Sequence, residues 1–148
     1  MEDVIFRKAK DQDMNGIMEL QVDVFEGEQG IPASMIPLPA EYSPQWWCAI
    51  LDTTIVGAVV AWEENGQIHW GRFAIDENYR GLHIGTRLAE YSIKDLFSQG
   101  IQEINMEARE VTVKIICDMG GKITGNPMLF YNSTVTPMVL RKEDFKLK

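Results

Sequence analysis

The stretch "GRFAIDENYRGLHIGTRL", residues 71–88, decides how this chain is read. Phe73, Ala74 and Ile75 form an apolar run suited to a strand, and Asp76 to Tyr79 is polar. From Gly85 onward, Leu88, Tyr91, Ile93, Leu96 and Phe97 recur at helical spacing until Gly100. A strand therefore hands over to a helix through Arg80-Gly81-Leu82-His83-Ile84-Gly85. The first turn of a helix offers unpaired backbone N–H groups and the positive end of the helix dipole. Glycines at 81 and 85 permit unusual backbone angles and a close approach of an anion, and Arg80 can pair with phosphate oxygens. The same residues also suit a tight turn with no ligand. Neither common phosphate loop is present, since the chain has no GxxxxGK followed by Ser or Thr and no GxGxxG.

Upstream, "WWCAIL" (46–51) and "IVGAVVAW" (55–62) flank Asp52-Thr53-Thr54 as a hairpin, and a second hairpin turns at Asn65-Gly66 into "QIHWGRFAI" (67–75). Before them, four of the six prolines fall between residues 32 and 44, so "EGEQGIPASMIPLPAEYSP" (26–44) reads as an irregular lid or wall. Val4 to Lys10 reads as a strand, and Asp11 or Asp13 caps a helix with apolar positions Met14, Ile17, Met18, Val22 and Phe25. Downstream, "IQEINMEA" (101–108) reads as a strand and "REVTVKIICDM" (109–119) as a helix stopped by Gly120-Gly121. Two closing strands follow, "KITGNPMLFYN" (122–132) and "TPMVLRK" (136–142). The order β-α-loop-β-β-β-α-β-α-β-β describes a mixed α/β fold, with one mostly antiparallel sheet flanked by helices, over a single domain of residues 1–148.

At 148 residues, 45% hydrophobic and 24% charged, the chain has ordinary globular usage and enough length for a core without disulfides or metal. A formal charge of −8 argues against binding nucleic acid or an anionic membrane, which need a basic field, and favours a cationic or neutral small substrate. Cys48 and Cys117 sit in apolar contexts with no metal-ligand spacing, so they are read as buried free thiols and no metal is expected. The start lacks a secretory signal pattern and the run 55–62 is too short to cross a bilayer, so a soluble cytoplasmic protein is expected.

Three stretches in the right order resemble the GNAT superfamily of N-acetyltransferases. "RGLHIG" (80–85) is similar to its signature of arginine or glutamine, two residues, glycine, one residue, and glycine or alanine, and "GRFAI" to the preceding strand of one bacterial branch. "VFEGEQGIP" (24–32) resembles the "VFVxEQGxP" stretch of that branch, which includes ElaA-like proteins. "EAREVTVKIICDMGG" (107–121) is similar to the family's "ARxxAxxFYxxxGF" segment.

The resemblance implies acyl transfer from acetyl-coenzyme A, as cosubstrate and without metal, to the amine of a small-molecule or peptide acceptor. The pantetheine arm is then expected along the backbone of Phe73, Ala74 and Ile75, and the pyrophosphate at Arg80, Gly81, Leu82, His83, Ile84, Gly85 and Thr86. A splayed gap between the fourth and fifth strands would admit the arm. Glu28 and His69 are the candidate bases, each with a structural reading beside it: Glu28 closing its own loop, His69 lying on the same strand face as Gly71, Phe73 and Ile75. Arg72 faces the ligand or solvent, and Trp46, Trp47, Trp62 and Trp70 are read as core. Two positions depart from the family pattern. His83 replaces a glycine, which a β-carbon tolerates if the backbone there is helical, and Ile116 replaces a tyrosine that can protonate the leaving thiolate. Adjacent Cys117 is a poor substitute, since one residue along a helix turns it about 100° away, and Tyr91 or Tyr131 can serve only where the tertiary structure brings them to the site. A noncatalytic acyl-coenzyme A binding module is the alternative; the oligomeric state stays open between a monomer and a homodimer, since folds of the family it resembles often pair through their last strands, here "TPMVLRK" (136–142).

Overall fold

The computed structural model describes residues 3–28, 30–31, 38–81, 83–131 and 133–146. Strands β2 (Gln45–Leu51) and β3 (Thr54–Glu64) send alternate side chains to opposite faces of the sheet, and both faces are covered. Trp47, Val59 and Ala61 join one apolar cluster; Trp46, Cys48, Ala58 and Val60 join the other. The first is closed by helices α2 (Ile84–Ser98) and α3 (Glu110–Asp118). The second is closed by α1 (Met14–Gln21) and the π-helical turn Val22–Glu28 that continues it. Burial on both faces explains why β2 and β3 read as continuous apolar runs rather than alternating ones.

Strand β1 (Ile5–Lys8), β2, β3 and β4 (Gln67–Ile75) pair antiparallel in chain order. Strand β4 then meets β5 (Glu103–Arg109) in parallel, and β8 (Ser133–Arg141) returns antiparallel to β5. Strands β6 (Lys122–Ile123) and β7 (Met128–Phe130) both pair with β8, so the single strand expected over 122–132 is two short ones; Gly125 and Pro127 lie between them. The result is the expected mixed α/β architecture with a mostly antiparallel central sheet.

Both hairpins close over two residues with positive φ: Asp52 and Thr53 at 52° and 76°, Asn65 and Gly66 at 54° and 76°. Such turns match the twist of the flanking strands, and Asn-Gly is their strongest sequence signal. On α2 the buried face is Ile84, Leu88, Ala89, Ser92, Ile93, Leu96 and Phe97. Tyr91, expected on that face, is 42% exposed. Ser92 fills the inward position because its hydroxyl accepts from the Trp70 indole at 2.9 Å and donates to the Ala89 carbonyl at 3.1 Å. Trp47 likewise donates to Asp95 Oδ2 at 2.8 Å, so the indoles tie the sheet to α2 by their polar edges.

Burial pushes the Cys48 thiol up to about 11, which leaves it unreactive near neutral pH. Cys117 corrects the expectation of two buried thiols: it lies on the exposed side of α3. Among the described residues, no helix is long and apolar enough to cross a membrane.

Candidate active site

The site is built on an irregularity in β4. Ala58 pairs with Ala74 and Val60 with Gly71, so one residue of β3, Val59, faces two of β4, Arg72 and Phe73. Arg72 absorbs the extra residue in a left-handed conformation, φ 50°. Gln21, fully buried at the end of α1, donates its Nε2 to the Arg72 carbonyl at 2.8 Å and so holds the bulge from below. The extra residue also flips the alternation. Gly71 lies under the Trp62 ring on the α1 face, and His69 stacks on the same ring at 5.6 Å. Phe73 sits on the opposite face, 5.2 Å from the Trp70 ring and against Gly85. Simple alternation put His69 and Phe73 on one face; the bulge separates them.

Strands β4 and β5 touch and then part. Their single ladder position is His69 with Asn105, whose Nδ2 reaches the Ile68 carbonyl at 3.4 Å. Beyond it, two cavities occupy the split. The first, about 360 Å³, is lined by His69, Arg72, Trp62, Phe25, Phe130 and Glu107 among others. The second, about 700 Å³, lies between the start of α2 and the flank of α3, with Ile75, Tyr79, Gly81, Thr86, Lys114 and Asp118 in its walls. They share Phe73, Arg109 and Thr112. Helices α2 and α3 both begin beyond the carboxyl ends of the two parallel strands, so their N–H groups and positive dipole ends flank the split.

The residues singled out from the sequence divide between main-chain and side-chain positions. Phe73 and Ile75 line the second cavity, while Ala74 is buried toward α1 and offers only its backbone. Gly81, His83, Gly85 and Thr86 also line it; Leu82 lies outside the described residues. Gly81 has φ 83°, which glycine adopts readily. His83 caps α2 with φ 62° and ψ 13°, left-handed rather than helical, so the expected tolerance for a β-carbon is not the conformation found. Ile84 buries its side chain beside Ala49 and Val56. A β-carbon on Gly85 would come within 3.2 Å of the Phe73 ring, so this glycine brings α2 close to β4.

Arg80 is held rather than extended. Its Nη1 and Nη2 meet the two oxygens of Glu28 at 2.8 and 2.9 Å, and its Nε donates to the Ile75 carbonyl at 3.0 Å. Glu28 lines neither cavity; both its oxygens face Arg80 in place of an open acceptor cleft. Gln29 and Pro32 to Pro37, seven residues of the proline-rich wall, lie outside the described residues. His69 stands in the first cavity, and so do Trp62 and Trp70, which also pack in or against the apolar clusters as read for all four tryptophans.

Ile116 is fully buried in the core against α2 and the sheet. Neither Cys117 nor Tyr91 lines either of these two cavities, and Tyr131 stands edge-on to Phe130, a residue of the first cavity. Two residues at the split, Thr112 and Arg109, carried little sequence signal, and a third, Arg72, reads from the sequence as facing either the ligand or solvent. Thr112 lies one turn before Ile116 on the same helix face and so points to the junction. Arg109 ends β5 at the same place; burial and then the nearby charge of Arg80 pull its pKa below the ordinary value, with Glu28 opposing. Arg72 reaches the cleft only because of the bulge.

A sheet split between two parallel strands, with a glycine-bearing loop leading into a helix on one side of the split, defines an acyltransferase class of fold. The chain belongs to the acetyltransferase (GNAT) family, whose model matches residues 14–114. Solved structures with a similar fold include ElaA from Escherichia coli, at 13% identity, TM-score 0.77, and 94% of this chain against 99% of that one. An acyl-CoA N-acyltransferase from Pseudomonas aeruginosa is similar at 14% identity and TM-score 0.77, again over 94% and 99%. An acetyltransferase of the GNAT family from Staphylococcus aureus gives 16% identity and TM-score 0.73 over 94% and 99%. At these identities the likeness is one of fold. No curated protein matches the sequence. The family normally uses an acyl-coenzyme A as donor, and among the described residues no cluster of His, Cys, Asp or Glu could hold a metal.

Proposed function

We propose that this chain is a single-domain cytoplasmic N-acetyltransferase that moves an acetyl group from acetyl-coenzyme A directly to the nitrogen of a small-molecule or peptide amine. The observation that carries this reading is the pair of cavities meeting at Phe73, Arg109 and Thr112, one under the first turn of α2 and the other around the β4 bulge. The open edge of Phe73, Ala74 and Ile75 suits the amides of a pantetheine arm. The N–H groups from Gly81 to Thr86, with Arg80 and Lys114, suit a pyrophosphate.

In this reading the donor supplies an activated thioester, and the residues of the split orient the two reactants. The acceptor nitrogen bonds to the carbonyl carbon, the carbon–sulfur bond breaks, and the sulfur leaves as thiolate. A β4 backbone N–H polarises the carbonyl oxygen. His69, in the first cavity, takes the proton released by the attacking amine, while Glu28 serves to hold Arg80. The N-terminal field of α3 and the Thr112 hydroxyl favour the departing thiolate, in place of an acid at position 116.

The fully buried Ile116 favours a second reading, a noncatalytic acyl-coenzyme A binding module. Calorimetry with acetyl-coenzyme A, followed by thiol release with a panel of amines, separates the two. Binding with turnover of any amine supports the enzyme, binding without turnover supports the module, and no binding removes both.

A further inference from the structure

The first cavity contains a guanidinium without a counter-ion. The Arg72 side chain lines it, with its Nε buried and lacking a hydrogen-bond partner. Among the described residues no carboxylate lies within ion-pair distance of it. The Trp62 ring, with its centroid 5.9 Å from Arg72 Cζ, covers the cation without neutralising it. Partial burial pulls the Arg72 pKa below its ordinary value, the direction in which desolvation acts on a cation. Yet the bulge that aims this side chain into the cavity is itself maintained, by a left-handed residue and a buried glutamine beneath it. Cations partly withdrawn from water are ordinarily paired, and at half-buried Arg72 the partner's place opens into the first cavity.

We infer that Arg72 anchors a carboxylate of the acceptor, so that the first cavity takes an amino acid rather than a polyamine or an amino sugar. This rests on the reading of that cavity as the acceptor site. Neither a polyamine nor an amino sugar brings the anion that the Arg72 donors lack. The cavity also carries Glu64 and Glu107, which suit the ammonium that an amino acid brings. Phe25, Trp62 and Phe130 suit an apolar or aromatic side chain. The charged lining of the cavity, Arg72 and Arg109 against Glu64 and Glu107, is thus balanced, whereas the whole chain carries −8.

The test compares N-acetylphenylalanine with N-acetylphenylalaninamide, two product-like probes that differ at the carboxylate, by calorimetric titration with and without coenzyme A. The acid is expected to bind at least about tenfold more tightly, as a charge-assisted hydrogen bond requires. Arg72→Gln erases that preference. Arg72→Lys, which keeps the charge but not the planar fork, retains part of it. Coenzyme A affinity reports whether each variant is folded. Equal affinity for acid and amide in the unaltered protein, no binding of either probe, or an acid preference that survives Arg72→Gln overturns the inference. Failure of coenzyme A to bind strikes the acyltransferase reading instead, and the acid–amide comparison still decides the role of Arg72.

Discussion

Glu28 and Arg80, 52 residues apart in the chain, face each other as a two-point ion pair at 2.8 and 2.9 Å and join the π-helical turn to the loop before α2. The pair is substantially exposed, so it contributes under about 1 kcal/mol, and Glu28→Gln is expected to leave stability nearly unchanged in chemical denaturation. Its effect falls on the donor site. Glu28 occupies the guanidinium nitrogens that a phosphate would use, so Glu28→Gln raises coenzyme A affinity a few-fold and Arg80→Ala lowers it by roughly tenfold. Calorimetry on both variants reads this directly.

His83 holds a conformation that costs a side-chain-bearing residue about 1 kcal/mol and costs glycine almost nothing. His83→Gly is therefore expected to stabilise the protein by about that amount, a shift in denaturation midpoint with unchanged slope. Thr53, a β-branched residue at φ 76° in the first hairpin, is expected to respond in the same direction.

Gln21 supports the bulge from inside the core. Gln21→Leu leaves the Arg72 carbonyl without its partner and is expected to cost about 1–3 kcal/mol of stability. The same variant should raise the acceptor KM more than it lowers coenzyme A affinity, because the second cavity takes only Phe73 from the bulge whereas the first takes both Arg72 and Phe73.

Asp13 gives the fold a defined acid sensitivity. Its carboxylate accepts from Arg7 at 2.6 and 3.1 Å and from the Lys10 N–H at 2.8 Å. The Arg7 hydrogen bonds hold its pKa below the ordinary carboxylate range, against the opposing effect of burial. A carboxyl depressed in the folded state contributes stability above its unfolded pKa, about 4, and loses it as pH falls through the folded value. Asp13→Asn should therefore cost about 1–3 kcal/mol at pH 7, and the gap from the unaltered protein should close progressively below about pH 4.

The order of strands and helices was legible because each apolar run is matched to one period, and because Asn65-Gly66 and Gly120-Gly121 punctuate it. The loop from Arg80 to Thr86 was legible because glycine marks positions where backbone, not side chain, does the work. The bulge was not, since its left-handed residue is an arginine, and strict alternation then put His69 and Phe73 on the same face. The π-helical turn was hidden by apolar residues that continue the α1 pattern through Val22 and Phe25. Arg72, Arg109 and Thr112 come from three elements and meet only where β4 and β5 part, a relationship no local pattern encodes.

The most direct measurement is an assigned amide spectrum of the protein recorded during titration with acetyl-coenzyme A. Occupation of the split requires the amides of Phe73, Ala74 and Ile75 and those from Gly81 to Thr86 to shift together and to gain protection from hydrogen exchange. Saturable binding that leaves these amides unmoved and perturbs residues elsewhere would contradict the placement of the donor between β4 and β5.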